Sequence, residues 1–157
     1  MSAPERDRGP DGEPDAELTV VQSSQPATAT GHCACGAVSY RVTGPLRQVY
    51  DCHCHRCRRI TGHYLAATAA HPDDVRLGGT DNLRWWGPDD ESVAYGFCAR
   101  CGSTLFWRPR SDPNRFVIAA GSLDGPTGLR TVKAWWCSEA GDYYERPAGV
   151  EEYGRDG

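Results

Sequence analysis

The stretch Cys52-His53-Cys54-His55-Arg56-Cys57 places three cysteines within six residues of a 157-residue chain. A first cluster precedes it, Cys33-Ala34-Cys35, and a last cluster follows it, Cys98-Ala99-Arg100-Cys101-Gly102. Buried structural cysteines and disulfide frameworks seldom bunch this tightly. Because thiolate is a ligand that zinc favours, the three clusters predict metal sites.

The seven clustered cysteines divide naturally into four and three. Four thiolates close a structural zinc site, whereas three leave a position for water or substrate. The first and last clusters together would supply four sulfurs, and Gly102 suits the tight turn of a metal knuckle. The central cluster would then form an open site, giving two zinc ions per chain. Spacing alone also allows the first cluster to join the central one, so the pairing stays open at this stage.

Three other residues near these clusters are not predicted to be ligands. If the central segment is extended, His53 and His55 face away from the sulfurs, and we interpret them as supporting or surface histidines. Cys137 ends the aromatic run Ala134-Trp135-Trp136-Cys137, where a lone cysteine favours packing over ligation.

Residues 1–30 predict a disordered tail, because Leu18, Val20 and Val21 are their only large aliphatic residues. The folded, zinc-binding catalytic domain is expected over residues 31–150. No basic start with an apolar run marks a secretory signal, and no stretch is long and apolar enough to span a bilayer. We therefore expect a cytoplasmic protein with no membrane partner, where reduced cysteines favour metal binding over disulfides.

Short extended runs separated by turn residues predict an all-β fold from Gly31 onward. Alternation is clearest over residues 37–43, and no stretch shows three turns of helical apolar period. The other predicted strands cover residues 46–51, 63–70, 83–86, 92–97, 104–107, 116–120 and 131–137.

Charge narrows the choice of partners. The net charge is −4, so a phosphate backbone or anionic membrane finds no broad attraction and nucleic acid is not the expected partner. Lys133 is the single lysine among 17 basic residues, which leaves arginine to contact carboxylates.

Three motifs in order give a resemblance to a known family. Together they are similar to the glutathione-dependent formaldehyde-activating enzymes, a family that also includes centromere protein V. The likeness runs from about Gly31 to Trp136. Its motifs are Gly31-His32-Cys33-Ala34-Cys35-Gly36, Cys52-His53-Cys54-His55-Arg56-Cys57-Arg58-Arg59-Ile60-Thr61-Gly62 and Phe97-Cys98-Ala99-Arg100-Cys101-Gly102-Ser103-Thr104-Leu105-Phe106, with Ala120-Gly121-Ser122-Leu123-Asp124 further on.

The resemblance implies a β-rich, tent-like fold and a zinc-dependent carbon–sulfur lyase. In the implied reaction, glutathione attacks formaldehyde to give S-(hydroxymethyl)glutathione. The implied structural zinc is held by Cys33, Cys35, Cys98 and Cys101, and the implied catalytic zinc by Cys52, Cys54 and Cys57.

Residues around the open site suggest how such a thiol would bind. Arg56, Arg58 and Arg59 flank it and are candidates for neutralising substrate carboxylates, although surface arginine explains each of them as well. Family members often carry histidine where this chain has Lys133, which we interpret as a solvated strand lysine rather than an anion contact. The tryptophans are candidates either for walling a cleft or for strand packing: Trp85, Trp86, Trp107, Trp135 and Trp136.

Alternatives remain at the level of the sequence. An arginine-heavy, lysine-poor composition suggests a GC-rich genome, and some such lineages use low-molecular-weight thiols other than glutathione.

A non-enzymatic zinc module that binds protein or nucleic acid is the alternative class, although a three-cysteine site has no obvious purpose in a purely structural module. Thiol–disulfide exchange through Cys-x-x-Cys lacks its usual βαβ context. The sequence leaves open whether the protein forms a homo-oligomer.

Overall fold

The computed structural model of the protein describes residues 29–154, which form eleven strands and one α-helix. Short 3-10 turns occur at Pro72–Asp74, Thr80–Asn82, Ala120–Ser122 and Cys137–Glu139. The helix is α1, His55–Thr61. The strands are β1 Ala29–His32, β2 Ser39–Val42, β3 Val49–Cys52, β4 Leu65–Ala70, β5 Val75–Gly78, β6 Leu83–Trp86, β7 Val93–Cys98, β8 Thr104–Pro109, β9 Phe116–Ala119, β10 Thr131–Trp135 and β11 Glu151–Glu152.

The strands form two sheets. The small sheet is antiparallel, in the order β1-β2-β5. The large sheet has eight strands in the order β11-β10-β3-β4-β9-β8-β7-β6. It is antiparallel from β3 to β6, whereas β10 runs parallel to both β3 and β11. The late strand β10 therefore lies near one edge of the large sheet, beside the strand that ends in Cys52.

The large sheet has a different neighbour on each face. Because successive side chains of a strand point to opposite faces, Phe116 and Ile118 of β9 lie in the core shared with the small sheet, while Val117 lies in a second core. In the first core, the ring of Tyr40 meets Phe106 edge-on at 5.3 Å. In the second, α1 packs through Cys57 against β4, β7 and β9. The small sheet and α1 thus cover opposite faces.

The prediction of a mainly β fold is confirmed, and each predicted strand has a counterpart. Three strands were not predicted: β1, β5 and β11 are two to four residues long, too short to show alternation. Helix α1 was also not predicted, because seven residues do not reveal a helical period. The run predicted to reach residue 137 leaves the sheet after Trp135, since Trp136 is left-handed with φ 59°.

One side-chain prediction is wrong. Lys133 is only 7% exposed and is not a solvated strand lysine. The irregular pairing of β10 with β3 sets it opposite Tyr50, and its ammonium lies 5.4 Å from that ring's centroid and 5.6 Å from the ring of Tyr153. Aromatic faces thus shelter the charge, a placement that alternation alone did not reveal.

The predicted tail of residues 1–30 lies outside the described residues, except for Ala29 and Thr30, which form half of β1. Within residues 29–154, no helix has the length and apolar character needed to cross a membrane.

Candidate metal centres and active site

The structure brings the first and last cysteine clusters together. Cys33 and Cys35 follow β1, Cys98 ends β7, and Cys101 lies in the turn before β8; we call these residues the four-cysteine cluster. All four sulfurs lie within 4.8 Å of one another, with 3.6 Å from Cys33 to Cys35 and 3.8 Å from Cys35 to Cys98. Sulfurs bound tetrahedrally to one zinc at ~2.3 Å would be about 3.8 Å apart. The donor set and spacing therefore fit a closed thiolate metal site.

Both turns of this cluster have the backbone of a metal knuckle. Gly36 and Gly102 have φ of 76° and 77°, which glycine adopts without steric cost. Their amides donate to the carbonyls of Cys33 and Cys98 at 2.9 and 2.8 Å. A further amide, that of Val38, donates to the Cys33 sulfur at 3.3 Å. The glycine amides thus close the two turns, while the Val38 amide offers a hydrogen bond to the sulfur itself.

Ser103 supports the exposed side of the four-cysteine cluster. Its hydroxyl lies 3.2 Å from the Cys101 sulfur and accepts a hydrogen bond from the Ala34 amide at 3.0 Å. The hydrogen bond from Ser103 lowers the pKa of the Cys101 thiol to about 5. Thiolate, the form that binds metal, is therefore favoured here.

A second group of sulfurs lies where β3 meets α1. Cys52 ends β3, Cys54 is the N-cap of α1, and Cys57 is in its first turn; we call these residues the three-cysteine cluster. Their sulfurs also lie within 4.8 Å of one another. The Cys54 sulfur accepts a hydrogen bond from the Cys57 amide at 3.3 Å, so the cap that starts the helix also fixes two sulfurs.

Crowding gives the three sulfurs unequal proton affinities. Hydrogen bonds from Cys52 and Cys57 lower the pKa of Cys54, whereas the hydrogen bonds to Cys54 and Cys57 and burial raise the pKa of Cys52. Three thiolates at this spacing repel one another, and a divalent cation is the group that best balances them. The residues present fit such an ion with three protein ligands.

The three-cysteine cluster opens into a cavity of about 540 Å³, which we call the main cavity because these cysteines line it; a second cavity, of about 700 Å³, is larger. The size of the main cavity suits a small-molecule ligand. Its aromatic walls are Tyr50, Tyr95, Trp107, Trp135 and Trp136. Four arginines and one acid also line it: Arg47, Arg56, Arg59, Arg115 and Glu139. The cavity thus combines clustered thiols with an aromatic wall and an excess of cationic groups.

The cationic groups are held in different ways. The Arg47 guanidinium stacks over Tyr50, 3.5 Å from the ring centroid, and donates to the Ala67 carbonyl at 3.3 Å. Arg115 is 3.1 Å from Asp112, which neutralises part of its charge. Glu139 accepts a hydrogen bond from the His55 amide at 2.9 Å, which holds this acid at the start of α1.

Tyr95 is a wall residue whose hydroxyl contacts a sulfur of the three-cysteine cluster. Its hydroxyl lies 3.5 Å from the sulfur of Cys57, and both side chains are 3% exposed. Burial, together with the neighbouring Cys57, raises the pKa of the Tyr95 phenol well above its usual value. The phenol therefore keeps its proton.

The structure keeps both histidines and Cys137 out of the described sulfur clusters. His53 is fully buried, and its Nδ1 lies 2.7 Å from the Tyr144 hydroxyl. His55 is exposed and contacts Glu139. The Cys137 thiol donates to the Ala134 carbonyl at 3.4 Å.

Some of the arginine and tryptophan candidates line the main cavity, and others do not. Arg56 and Arg59 line the main cavity, whereas Arg58 is absent from its lining. Trp85 packs in the first core, and Trp86 is half exposed.

Sequence reasoning did not identify several cavity residues, among them Arg47, Tyr95, Arg115 and Glu139. They come from separate elements and from no shared motif. The alternation of Val93 with Tyr95 along β7 is a signal that both face one side, but it does not show that α1 covers that side.

Fold and site together define a mainly β protein with two cysteine clusters suited to metal, one of them open to a cavity. Residues 28–139 match the model of the glutathione-dependent formaldehyde-activating enzymes, and the chain therefore belongs to that family. A Rhodobacter sphaeroides protein of known crystal structure is similar in fold, with 27% sequence identity and a TM-score of 0.55. The likeness covers 68% of this chain and 98% of that protein.

Proposed function

We propose that the chain binds two zinc ions and catalyses the reversible addition of a low-molecular-weight thiol to an aldehyde. Formation of S-(hydroxymethyl)glutathione from glutathione and formaldehyde is the reaction that the family name suggests. The observation that carries the proposal is the position of the three-cysteine cluster, whose sulfurs all line the main cavity. The four-cysteine cluster is proposed to be structural, because four protein sulfurs leave no ligand position for substrate.

In the forward reaction, the thiol loses its proton and its sulfur forms a bond with the carbonyl carbon. The carbonyl oxygen gains a proton, and the reverse reaction breaks the same carbon–sulfur bond. A zinc ion on the three sulfurs would supply a fourth coordination position for the thiol and would lower its pKa.

The residues of the chain bind and orient the substrate. Arg56 and Arg59 of α1 line the cavity and are suited to substrate carboxylates, as is Arg47, which also lines it. Trp107 and Trp135 offer apolar surface for the carbon skeleton and exclude water from the sulfur. We therefore propose that the substrate is a thiol carrying carboxylate groups, with glutathione as the first candidate.

The test measures exchange between formaldehyde, thiol and adduct at equilibrium by two-dimensional NMR exchange spectroscopy. We expect the protein to speed exchange with glutathione more than with cysteamine, which carries no carboxylate. Cys57→Ser should lower the enzymatic rate by at least about a hundredfold, because even supporting residues of metal sites cost ten- to a hundredfold. Cys137→Ser is the matched control and should keep the rate. Equal rates for Cys57→Ser and the parent protein would refute the proposal.

A further inference from the structure

Tyr95 contacts the three-cysteine cluster from a strand outside it. It lies in β7, while Cys57 lies in α1, and the two residues meet at 3.5 Å between hydroxyl oxygen and sulfur. Neither side chain is more than 3% exposed, so water does not compete for this contact. A hydrogen bond in such surroundings is stronger than one in solvent.

The direction of this hydrogen bond follows from chemistry. A cysteine sulfur that binds a metal is a thiolate and has no proton to give, so the Tyr95 hydroxyl must be the donor. Cys54 already accepts from the backbone amide of Cys57. The Cys57 sulfur therefore accepts a hydrogen bond from a side chain, whereas the Cys54 sulfur accepts one from the main chain.

We propose that Tyr95 is a positioning residue that donates a hydrogen bond to the Cys57 ligand sulfur and so tunes the three-cysteine site. This role of Tyr95 rests on the proposed function only in requiring a metal on these three sulfurs. The hydrogen bond draws charge from the Cys57 thiolate and would weaken its donation to a metal held there. A metal so held would polarise a bound substrate thiol more strongly.

A second consequence concerns the electrophile. An aldehyde in the main cavity meets the ligand sulfurs as well as the substrate sulfur, and thiolates are the nucleophilic form of cysteine. A hydrogen bond from Tyr95 makes Cys57 the poorer nucleophile. The carbon–sulfur bond is thereby directed to the substrate thiol.

Cobalt substitution tests the hydrogen bond directly, with Co²⁺ in the three-cysteine cluster and zinc in the other. Tyr95→Phe keeps the ring and removes the hydroxyl. We expect the sulfur-to-cobalt charge-transfer band to move to longer wavelength, because the thiolate becomes richer in electrons. We also expect iodoacetamide to alkylate Cys57 roughly three- to tenfold faster in this variant than in the parent protein. Peptide mass spectrometry measures the alkylation rate.

Tyr40→Phe is the matched control. Tyr40 is also 3% exposed, and its hydroxyl lies 2.6 Å from the Ser122 hydroxyl in the other core. This variant loses a comparable buried hydroxyl and should leave the band and the alkylation rate unchanged. An equal shift in both variants would show that the effect comes from a general loss of packing in the domain and would overturn the proposal.

Replacing Tyr95 by 3-fluorotyrosine covers the case in which Tyr95→Phe folds poorly. The more acidic phenol donates more strongly, so the band should move to shorter wavelength. An unmoved band in either Tyr95 variant, with cobalt bound, would overturn the proposal, and so would a cluster that binds no cobalt. If the shifts occur but no thiol is turned over, the proposed reaction fails while the role of Tyr95 stands.

Discussion

Cys57 and Cys98 are both almost fully buried, yet they hold different parts of the molecule together. Cys98 shares its cluster with sulfurs more than sixty residues away in the chain, at Cys33 and Cys35. Cys57 shares its cluster only with Cys52 and Cys54, its close neighbours in sequence. A metal on the first set closes a long loop, and a metal on the second closes a very short one.

This contrast predicts different outcomes for two serine substitutions. Cys98→Ser should lower the melting temperature by about 10 °C or more, because metal-binding energy at a structural site is also folding energy. Cys57→Ser should fold with little change in melting temperature and retain about one zinc per chain. Calorimetry and metal analysis of both variants check the pair. The reverse pattern would show that the structural and catalytic clusters have been exchanged.

The three cysteine clusters were predictable from residue type and spacing, but spacing alone left open which clusters share a site. The residues that surround the sulfurs were not predictable, because the pairing of strands distant in sequence determines which side chains face the same cavity. Arg47 and Tyr95 reach the main cavity from β-rich segments almost fifty residues apart. Lys133 was interpreted as a solvated strand lysine, yet it is buried at the point where the pairing of β10 with β3 is irregular.

At the scale of elements, α1 is too short to be stable alone, since isolated helices of fewer than about twelve residues are marginal in water. Its ends are defined by specific contacts. Cys54 caps the first turn through its sulfur, and Gly62 ends the helix with φ 80° while its amide donates to the Arg58 carbonyl at 2.8 Å. The sequence showed the cysteines but not the helix, because its helical character comes from these caps and from packing on the large sheet.

The cap predicts the effect of a small substitution. Gly62→Ala should lower the free energy of unfolding by about 1 kcal/mol, because alanine is strained at this left-handed φ although nothing crowds its Cβ. Gly121→Ala is the control, since its Cβ is equally uncrowded and its φ is not left-handed. Its effect should stay within about 0.5 kcal/mol. Denaturant titration measures both, and equal losses would contradict the assigned cap.

At the scale of the whole molecule, the two cysteine clusters serve different regions. The four-cysteine cluster joins the β1–β2 turn of the small sheet to the β7–β8 turn of the large sheet. The three-cysteine cluster lies with α1 on the other face of the large sheet, within the main cavity. The mainly β character followed from alternation, whereas the parallel pairing of β10 with β3, which brings Trp135 to this cavity, depends on distant contacts.

The central claim is that the three-cysteine cluster holds a metal with one position open to a thiol. The most direct measurement is the visible spectrum of protein with cobalt in that cluster, titrated with glutathione and separately with S-methylglutathione. We predict that glutathione changes the ligand-field and charge-transfer bands by adding a fourth sulfur, while the S-methyl analogue leaves them unchanged. Equal responses to both compounds, or no response to glutathione, would contradict the account.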